Sequence, residues 1–216
     1  MHILFIGKSG DEYCEKASKL LQRHFEDTKV ILLSRGEQLP ANLERNNFDY
    51  IISYLSHLII PEKLLKKAKK AAINFHPGTP DYPGIGCTNF ALYNEETEYG
   101  VTCHHMQAKV DTGNIITVKR FPVCKEDSVF TLTQRCYKEI FILFKEILDC
   151  VKNDRDFPES NELWSRRPYT RAELNELGWI IDDMDDIEVK RRVRAMDYPG
   201  APGAFIERAG IRFYSS

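Results

Sequence analysis

Residues 71–86, Ala-Ala-Ile-Asn-Phe-His-Pro-Gly-Thr-Pro-Asp-Tyr-Pro-Gly-Ile-Gly, decide the fold of this chain. The stretch begins with an apolar run, Ala71 to Phe75, which predicts a buried strand. Its second part, Pro77 to Gly86, contains three prolines and three glycines and therefore cannot sustain a helix or a central strand. A rigid loop that follows a buried strand predicts that polar side chains at the junction are held at the edge of a sheet.

Strand and helix patterns alternate on both sides of this stretch, which favours an α/β fold with a mostly parallel sheet and flanking helices. Apolar runs predict strands and helical spacing predicts helices. The predicted strands are 3–6, 30–33, 50–54, 71–75, 100–106 and 115–121, and the predicted helices are 11–25, 61–70, 88–95 and 127–151.

The last part of the chain differs in composition from the rest. We predict a catalytic domain over residues 1–152 and a C-terminal extension over residues 153–216 that forms a small subdomain. Residues 204–207 and 211–214 predict a terminal β-hairpin, because Gly210 in the connection supplies the positive φ that such a turn requires.

Composition excludes several classes of protein. The 216 residues are 43% hydrophobic and 29% charged, which is typical of a globular protein. With 30 Lys and Arg against 32 Asp and Glu, no net basic field is available to hold a polyanion, so we expect no nucleic-acid binding. The most apolar window, residues 51–60, is too short for a membrane span, which needs about 20 residues, so we expect no membrane insertion.

The N-terminus and the cysteines indicate the compartment. Met1-His2 leads directly into the first apolar run without the pattern of a secretory signal. The six cysteines are scattered singly, with no Cys-x-x-Cys pair. We therefore expect a cytoplasmic protein with reduced thiols.

Three polar residues form the candidate catalytic group. Asn74 and His76 lie two apart on one strand, so their side chains share a face of the sheet, and Asp111 lies in a tight segment between two strands. An amide, an imidazole and a carboxylate together suit acyl transfer, because the amide donates to the developing oxyanion and the imidazole carries a proton. On this spacing alone, the alternative of two hydrogen-bonded structural side chains is favoured.

Three segments in order resemble the formyltransferase family that uses 10-formyltetrahydrofolate. They are Asn-Phe-His-Pro-Gly at 74–78, Gly-Val-Thr-Cys-His-His-Met at 100–106 and Val-Asp-Thr-Gly-Asn-Ile-Ile at 110–116. The resemblance covers roughly residues 1 to 150 and implies a Rossmann-like sheet of the formyltransferase type. It also implies that Asn74, His76 and Asp111 are catalytic and that 10-formyltetrahydrofolate is the formyl donor.

The Pro/Gly loop, residues 77–86, and the tail at 194–205 resemble the sugar N-formyltransferase branch of this family. This implies that the acceptor is the amine of a nucleotide-linked aminodeoxy sugar, specifically a dTDP-linked 4-amino-4,6-dideoxyhexose used for a surface polysaccharide such as the O-antigen of lipopolysaccharide. Two alternatives stay open: another formyltransferase or formyl hydrolase branch, and a catalytically inactive protein that binds folate or a nucleotide sugar.

The resemblance also implies ligand-binding residues. Main-chain groups are expected to form most of the folate site, and burial in the core is the alternative for its apolar members. The expected folate-site residues are Leu55, His57, Leu58, Ile59, Ile60, Lys109 and Val110. Tyr82, Asn89 and His104 are the expected contacts of the acceptor sugar, although Tyr82 and Asn89 could instead brace the loop.

Three other sequence features are discounted. Gly7-Lys8-Ser9 lacks the glycine that a P-loop requires five residues before Gly7, because that position is His2. His104 and His105 are adjacent on a strand and point to opposite faces, so we expect no metal site. The basic run 190–194 could meet a pyrophosphate, but a solvated helix face is favoured.

The predicted hairpin also bears on the oligomeric state. It carries five large apolar or aromatic residues, and an isolated hairpin is marginally stable in water. These residues are Phe205, Ile206, Ile211, Phe213 and Tyr214. Together with the resemblance, they predict a homodimer with the hairpin at or near its interface, the alternative being that the hairpin covers only its own subunit.

Overall fold

A computed structural model describes residues 1–215 and contains one six-stranded sheet. The strand order is β2-β1-β3-β4-β5-β6; the first four strands are parallel, and β5 is antiparallel to both of its neighbours. The strands are β1 (Ile3–Lys8), β2 (Thr28–Leu33), β3 (Phe48–Tyr54), β4 (Ala68–His76), β5 (Glu98–His105) and β6 (Ile115–Pro122). The predicted α/β fold with a mostly parallel sheet is confirmed.

Helices flank the sheet, and a two-stranded hairpin ends the described chain. The helices are α1 (Glu12–His24), α2 (Glu62–Leu65), α3 (Cys87–Tyr93), α4 (Val129–Lys152), α5 (Arg171–Gly178) and α6 (Asp186–Met196). The hairpin strands are β7 (Phe205–Arg208) and β8 (Ile211–Tyr214), as the sequence predicts. None of the helices within residues 1–215 combines the length and apolar character needed to cross a membrane.

The sheet buries both of its faces because alternate residues of its strands enter two different apolar clusters. In β1, Ile3 and Phe5 join the cluster beneath α1 and α4, whereas Leu4 and Ile6 join the cluster on the opposite face. Each such side chain contributes about 1.5–3 kcal/mol when fully buried. This two-sided burial fixes β4, whose last residue is His76.

The predicted helix over residues 61–70 is wrong. Helix α2 has only four residues, and β4 begins at Ala68, which pairs with Phe48 of β3. The Phe48 amide also donates a 2.9 Å hydrogen bond to the Lys67 carbonyl. Pairing with β3 therefore outweighs the helical preference of the lysine-rich segment.

The basic run of the extension lies on α6 and makes contacts within the chain. Arg192 binds the Glu188 carboxylate and the carbonyls of Glu176 and Leu177 at the end of α5. Arg194 binds the carbonyl of Asp127 at the start of α4. These arginines join α6 to its neighbours, which favours a structural role over pyrophosphate binding.

Candidate active site

A cavity of about 780 Å³ opens beyond the carboxyl ends of β3 and β4, where open α/β sheets bind their ligands. Eleven of the thirteen predicted site residues line it. They are Leu55, His57, Leu58, Ile59, Ile60, Asn74, His76, His104, Lys109, Val110 and Asp111.

Strand pairing brings the predicted catalytic trio together. In the antiparallel register of β4 and β5, Asn74 lies opposite His104 and His76 lies opposite Thr102. His76 Nδ1 lies 3.3 Å from Asp111 Oδ2, and Asn74 Nδ2 lies 3.1 Å from His104 Nε2. We call Asn74, His76, His104 and Asp111 the catalytic cluster, after the role that the sequence predicts for Asn74, His76 and Asp111.

His76 is held by the protein through both ring nitrogens and is only 4% exposed. Its Nε2 lies 2.9 Å from the Tyr82 carbonyl, which only accepts hydrogen bonds, so this nitrogen carries a hydrogen. Its Nδ1 faces the Asp111 carboxylate. Gly78 makes room for the ring, because a Cβ there would lie 2.6 Å from His76 Nε2.

Asp111 is 5% exposed and stays ionised. Burial alone would raise its pKa, but the charge of His76, the hydrogen bond and charge of His104 and the Gly84 amide outweigh burial and lower the pKa to about 2. The Gly84 amide donates a 2.8 Å hydrogen bond to Oδ2. Asp111 has a φ of 44°, so this non-glycine residue occupies the left-handed region, where strain often marks a functional position.

His104 is a buried member of the cluster rather than an exposed side chain. Its Nδ1 donates a 2.8 Å hydrogen bond to the His105 carbonyl, and its Nε2 lies between Asn74 Nδ2 and Asp111 Oδ1, at 3.1 and 3.2 Å. The Nδ2 group of Asn74 only donates and the carboxylate only accepts, so the two contacts favour opposite protonation states of Nε2. This link between His104 and Asp111 could not be predicted from sequence spacing.

The expected folate segment after β3 has an unusual backbone. Leu55 has a φ of 51°, which turns the chain sharply at the cavity edge. Ile60 packs in the core with Leu4 and Leu64, so the alternative of burial in the core applies to this residue. In contrast, Ile59 is 69% exposed and is not a core residue.

Tyr82 and Asn89 do not line the cavity, so the structure does not support their expected contact with the sugar. Tyr82 is 3% exposed, and its hydroxyl donates to Glu96 at 2.6 Å. The Asn89 amide donates to the Ala195 carbonyl at 2.7 Å, which joins α3 to α6. Both residues brace the surrounding structure, which is the alternative left open by the sequence.

Several residues of the cavity wall are not among those predicted from the sequence. Arg35 follows β2 at the same edge of the sheet. Its place in the cavity wall could therefore have been inferred from the predicted strand 30–33. Partial burial, together with the positive charges of Lys8 and Arg35, lowers the pKa of His57. Lys8 and Arg35 thus bring positive charge close to His57, alongside the acidic side chains of Asp11 and Glu37. Tyr169 of the extension lines the cavity as well, without a local sequence signal.

The structure also bears on metal binding. Within residues 1–215, no three or more His, Cys, Asp or Glu side chains are arranged to hold a metal ion. His105 points away from the cluster, and its ring lies 6.2 Å from that of Phe157.

The chain is similar to known proteins in sequence and in fold. Residues 17–147 match the family model described as formyl transferase. A GDP-perosamine N-formyltransferase from Brucella melitensis is 32% identical over 167 residues, which cover 77% of this chain and 63% of the Brucella protein. The match thus spans less than two thirds of that relative's length.

Solved structures share the fold. A sugar N-formyltransferase from a Shewanella species has a TM-score of 0.79 at 18% identity, covering 100% of this chain and 96% of the other. An N-formyltransferase from Helicobacter canadensis in complex with folinic acid and dTDP-3-aminofucose has a TM-score of 0.74 at 20% identity, covering 98% and 86%. At these identities the likeness establishes the fold alone. The family model and the Brucella relative go further, and by them this chain belongs to the formyl transferase family.

Proposed function

We propose that the protein transfers a formyl group from 10-formyltetrahydrofolate to the amine of a nucleotide-linked aminodeoxy sugar. The observation that carries this proposal is the catalytic cluster of Asn74, His76, His104 and Asp111 in the wall of a large cavity. The names of the Brucella and Helicobacter relatives, a GDP-perosamine N-formyltransferase and an N-formyltransferase bound to folinic acid and an amino sugar, support the same chemistry.

The cavity suits both substrates. Its volume of about 780 Å³ lies within the usual range for small-molecule sites. The segment from Leu55 to Ile60 offers apolar side chains and a sharply turned backbone, whose main-chain groups can bind the polar edge of a pterin. Lys8, Arg35 and Lys109 provide positive charge at or near the cavity for the diphosphate of a nucleotide sugar.

The cluster can catalyse the transfer without a nucleophilic side chain. The unprotonated amine of the sugar attacks the formyl carbon, so a new C–N bond forms as the carbonyl oxygen becomes negative. Asn74 donates to this oxygen through Nδ2, and an imidazolium at His76 adds positive charge nearby. The bond to the folate nitrogen then breaks, and the proton lost by the amine reaches that nitrogen through water, or through His76 once its Nε2 leaves the Tyr82 carbonyl. Asp111 keeps the His76 ring oriented throughout.

A panel of acceptors tests the activity. The purified protein is incubated with 10-formyltetrahydrofolate and each of several dTDP-, UDP- and GDP-linked amino sugars, and mass spectrometry detects the gain of one formyl group. We propose a dTDP-linked 4-amino-4,6-dideoxyhexose as the acceptor, and GDP-perosamine is the direct comparison because of the Brucella relative. Hydrolysis of the donor without formylation of any sugar would indicate a formyl hydrolase instead.

Replacement of Asn74 by alanine should lower kcat by about 10²–10³, because one donor to the oxyanion is lost. KM for both substrates should change little, since the interaction forms only in the transition state. Asn153→Ala is the matched control, because this exposed amide caps α4 far from the cavity. A near-normal kcat in Asn74→Ala with saturating substrates would rule out the assigned role.

We also propose a homodimer with the hairpin at its interface. Ile206, Ile211, Phe213 and Tyr214 of β7 and β8 are all exposed in the single chain. Such a concentration of apolar surface on a strand pair is typical of an interaction surface. Light scattering should give twice the chain mass of 25.1 kDa.

Variants locate this interface. The double variant Ile211→Glu and Phe213→Glu should be monomeric, whereas Ile187→Glu, an exposed position on α6, should remain dimeric. A wild-type mass of one chain at micromolar protein refutes the dimer. A dimer that survives the double variant places the interface elsewhere.

A further inference from the structure

We propose that Trp164, in the C-terminal extension, is a positioning residue for the catalytic cluster. The expected effect on kcat rests on the proposed function. The geometry that suggests the positioning role does not depend on any substrate. The Trp164 ring lies perpendicular to two imidazoles, with centroid distances of 5.8 Å to His76 and 5.0 Å to His104. These perpendicular aromatic pairs favour a defined ring orientation.

Trp164 also binds the turn that carries Asp111. Its indole Nε1 donates a 2.8 Å hydrogen bond to the carbonyl of Gly113. This turn is strained at Asp111 and tightly packed at Gly113, where a Cβ would lie 1.8 Å from the His105 carbonyl oxygen. A strained turn persists only when its surroundings hold it, and the indole provides one such restraint. One side chain therefore contacts both histidines of the cluster and tethers its carboxylate.

The main chain around Trp164 follows the catalytic loops. We call residues 160–170 the C-terminal strap. The Ser165 amide donates a hydrogen bond to the Pro80 carbonyl, and the Tyr169 amide donates one to the Pro83 carbonyl at 2.8 Å. The strap therefore lies along the Pro/Gly loop. The Ile85 amide donates back to the Tyr169 carbonyl. Trp164 is thus held by backbone hydrogen bonds on its C-terminal side, and its position is fixed relative to the loop that contains the Tyr82 carbonyl bound by His76.

The orientation of the two rings matters because the hydrogen-bonding contacts of each ring require its nitrogens to lie at defined positions. His76 must present Nε2 to one carbonyl and Nδ1 to the Asp111 carboxylate. His104 must place a single nitrogen between Asn74 and Asp111. A small rotation of either ring breaks one of these contacts, and misplacement of catalytic groups by about 1 Å can cost about 10²-fold in rate. Trp164 does not line the cavity, so it acts through the cluster rather than on a substrate.

Kinetics of two Trp164 variants test the proposal. Trp164→Ala should lower kcat by about 10²-fold with little change in KM for either substrate. Trp164→Phe keeps an aromatic ring but loses the donor to Gly113, and should recover most of the rate, to within about fivefold of wild type. The controls are Trp179→Phe, the only other tryptophan in the sequence, and Leu163→Ala, an adjacent position that is 83% exposed. Both controls should have wild-type kcat.

Histidine NMR tests the same proposal without a substrate. The chain has six histidines, and the ¹⁵N chemical shifts of their ring nitrogens, which report the hydrogen bonds that each nitrogen makes, are compared at one pH in the wild type and in the variants. Trp164→Ala should shift the ring signals of His76 and His104 and leave those of His2 and His24 unchanged. Trp179→Phe should shift none of them.

The outcomes separate the two proposals. If the wild type formylates no acceptor, the proposed function fails, and the histidine ring signals still decide the role of Trp164. If folded Trp164→Ala has wild-type kcat or wild-type ring signals of His76 and His104, the positioning role is refuted. If Trp164→Ala does not fold, Trp164→Leu takes its place, because leucine keeps apolar volume but loses both the aromatic ring and the donor to Gly113; wild-type kcat together with unchanged ring signals in Trp164→Leu would refute the role equally.

Discussion

Replacement of Asp111 by asparagine should lower kcat by about 10⁴-fold, the loss seen when a buried carboxylate that orients a catalytic histidine is replaced by its amide. The amide can donate where the carboxylate could only accept, so the hydrogen-bonding pattern of both His76 and His104 is disturbed. The measurement is kcat at saturating concentrations of both substrates, with folding checked by circular dichroism.

The matched control is Asp127→Asn. Asp127 is also a buried carboxylate, but it pairs with Arg135 at 2.8 Å and accepts from the Cys124 amide, outside the cavity. Its replacement should cost stability without a comparable loss of kcat. Equal kcat losses in Asp111→Asn and Asp127→Asn would show that the effect on Asp111 comes from general destabilisation rather than from catalysis.

The same residue determines part of the acid sensitivity of the protein. The pKa of Asp111 lies near 2 in the folded chain, below its ordinary value of 3.8. A depressed pKa stabilises the folded state fully above the unfolded value, and this stabilisation is lost as the pH falls from about 4 through about 2. Asp111 therefore stays ionised at neutral pH, and an acid limb of the rate profile above pH 4 must arise from another group.

Replacement of His76 by alanine should lower kcat by about 10²–10⁴, because both the positive charge near the oxyanion and the route for the proton are lost. The loss should appear in kcat more than in KM. His105→Ala is the matched control, since His105 is the next residue after His104 on β5 but points away from the cluster.

Combining the two catalytic variants tests whether the residues act as a unit. Asp111→Asn in the His76→Ala background should cost much less than it does alone, because the ring that Asp111 orients is already absent. Fully additive losses would indicate that Asp111 acts independently of His76, for example through His104. A near-normal kcat in His76→Ala would contradict the mechanism directly.

The sequence predicts those parts of the fold and site that depend on local patterns. Buried strands appear as apolar runs, and a strand that stops at Pro77 must present Asn74 and His76 at the edge of the sheet. The three family segments then indicate Asp111, which the structure places within reach of His76.

The features that the sequence did not predict depend on contacts between distant parts of the chain. Residues 68–70 form part of β4 because of pairing with β3, which the lysine-rich segment does not reveal. The burial of the Tyr82 ring beside Glu96 depends on how α3 and the Pro/Gly loop pack. Trp164 contacts a turn 51 residues earlier in the chain, and no local pattern could indicate that contact.

The C-terminal strap has a consequence for the order in which the parts of the chain fold during synthesis. Because synthesis proceeds from the N-terminus, the strands that carry Asn74, His76 and His104 leave the ribosome well before Trp164 does. The strap then has to find loops that lie as far back as Pro80, and closing such long-range contacts is slow compared with forming local helices. A nascent chain that ends before residue 170 thus contains every residue of the catalytic cluster but lacks the segment that orients them. The complete arrangement of the cluster is in this way delayed until residue 170 has been synthesised.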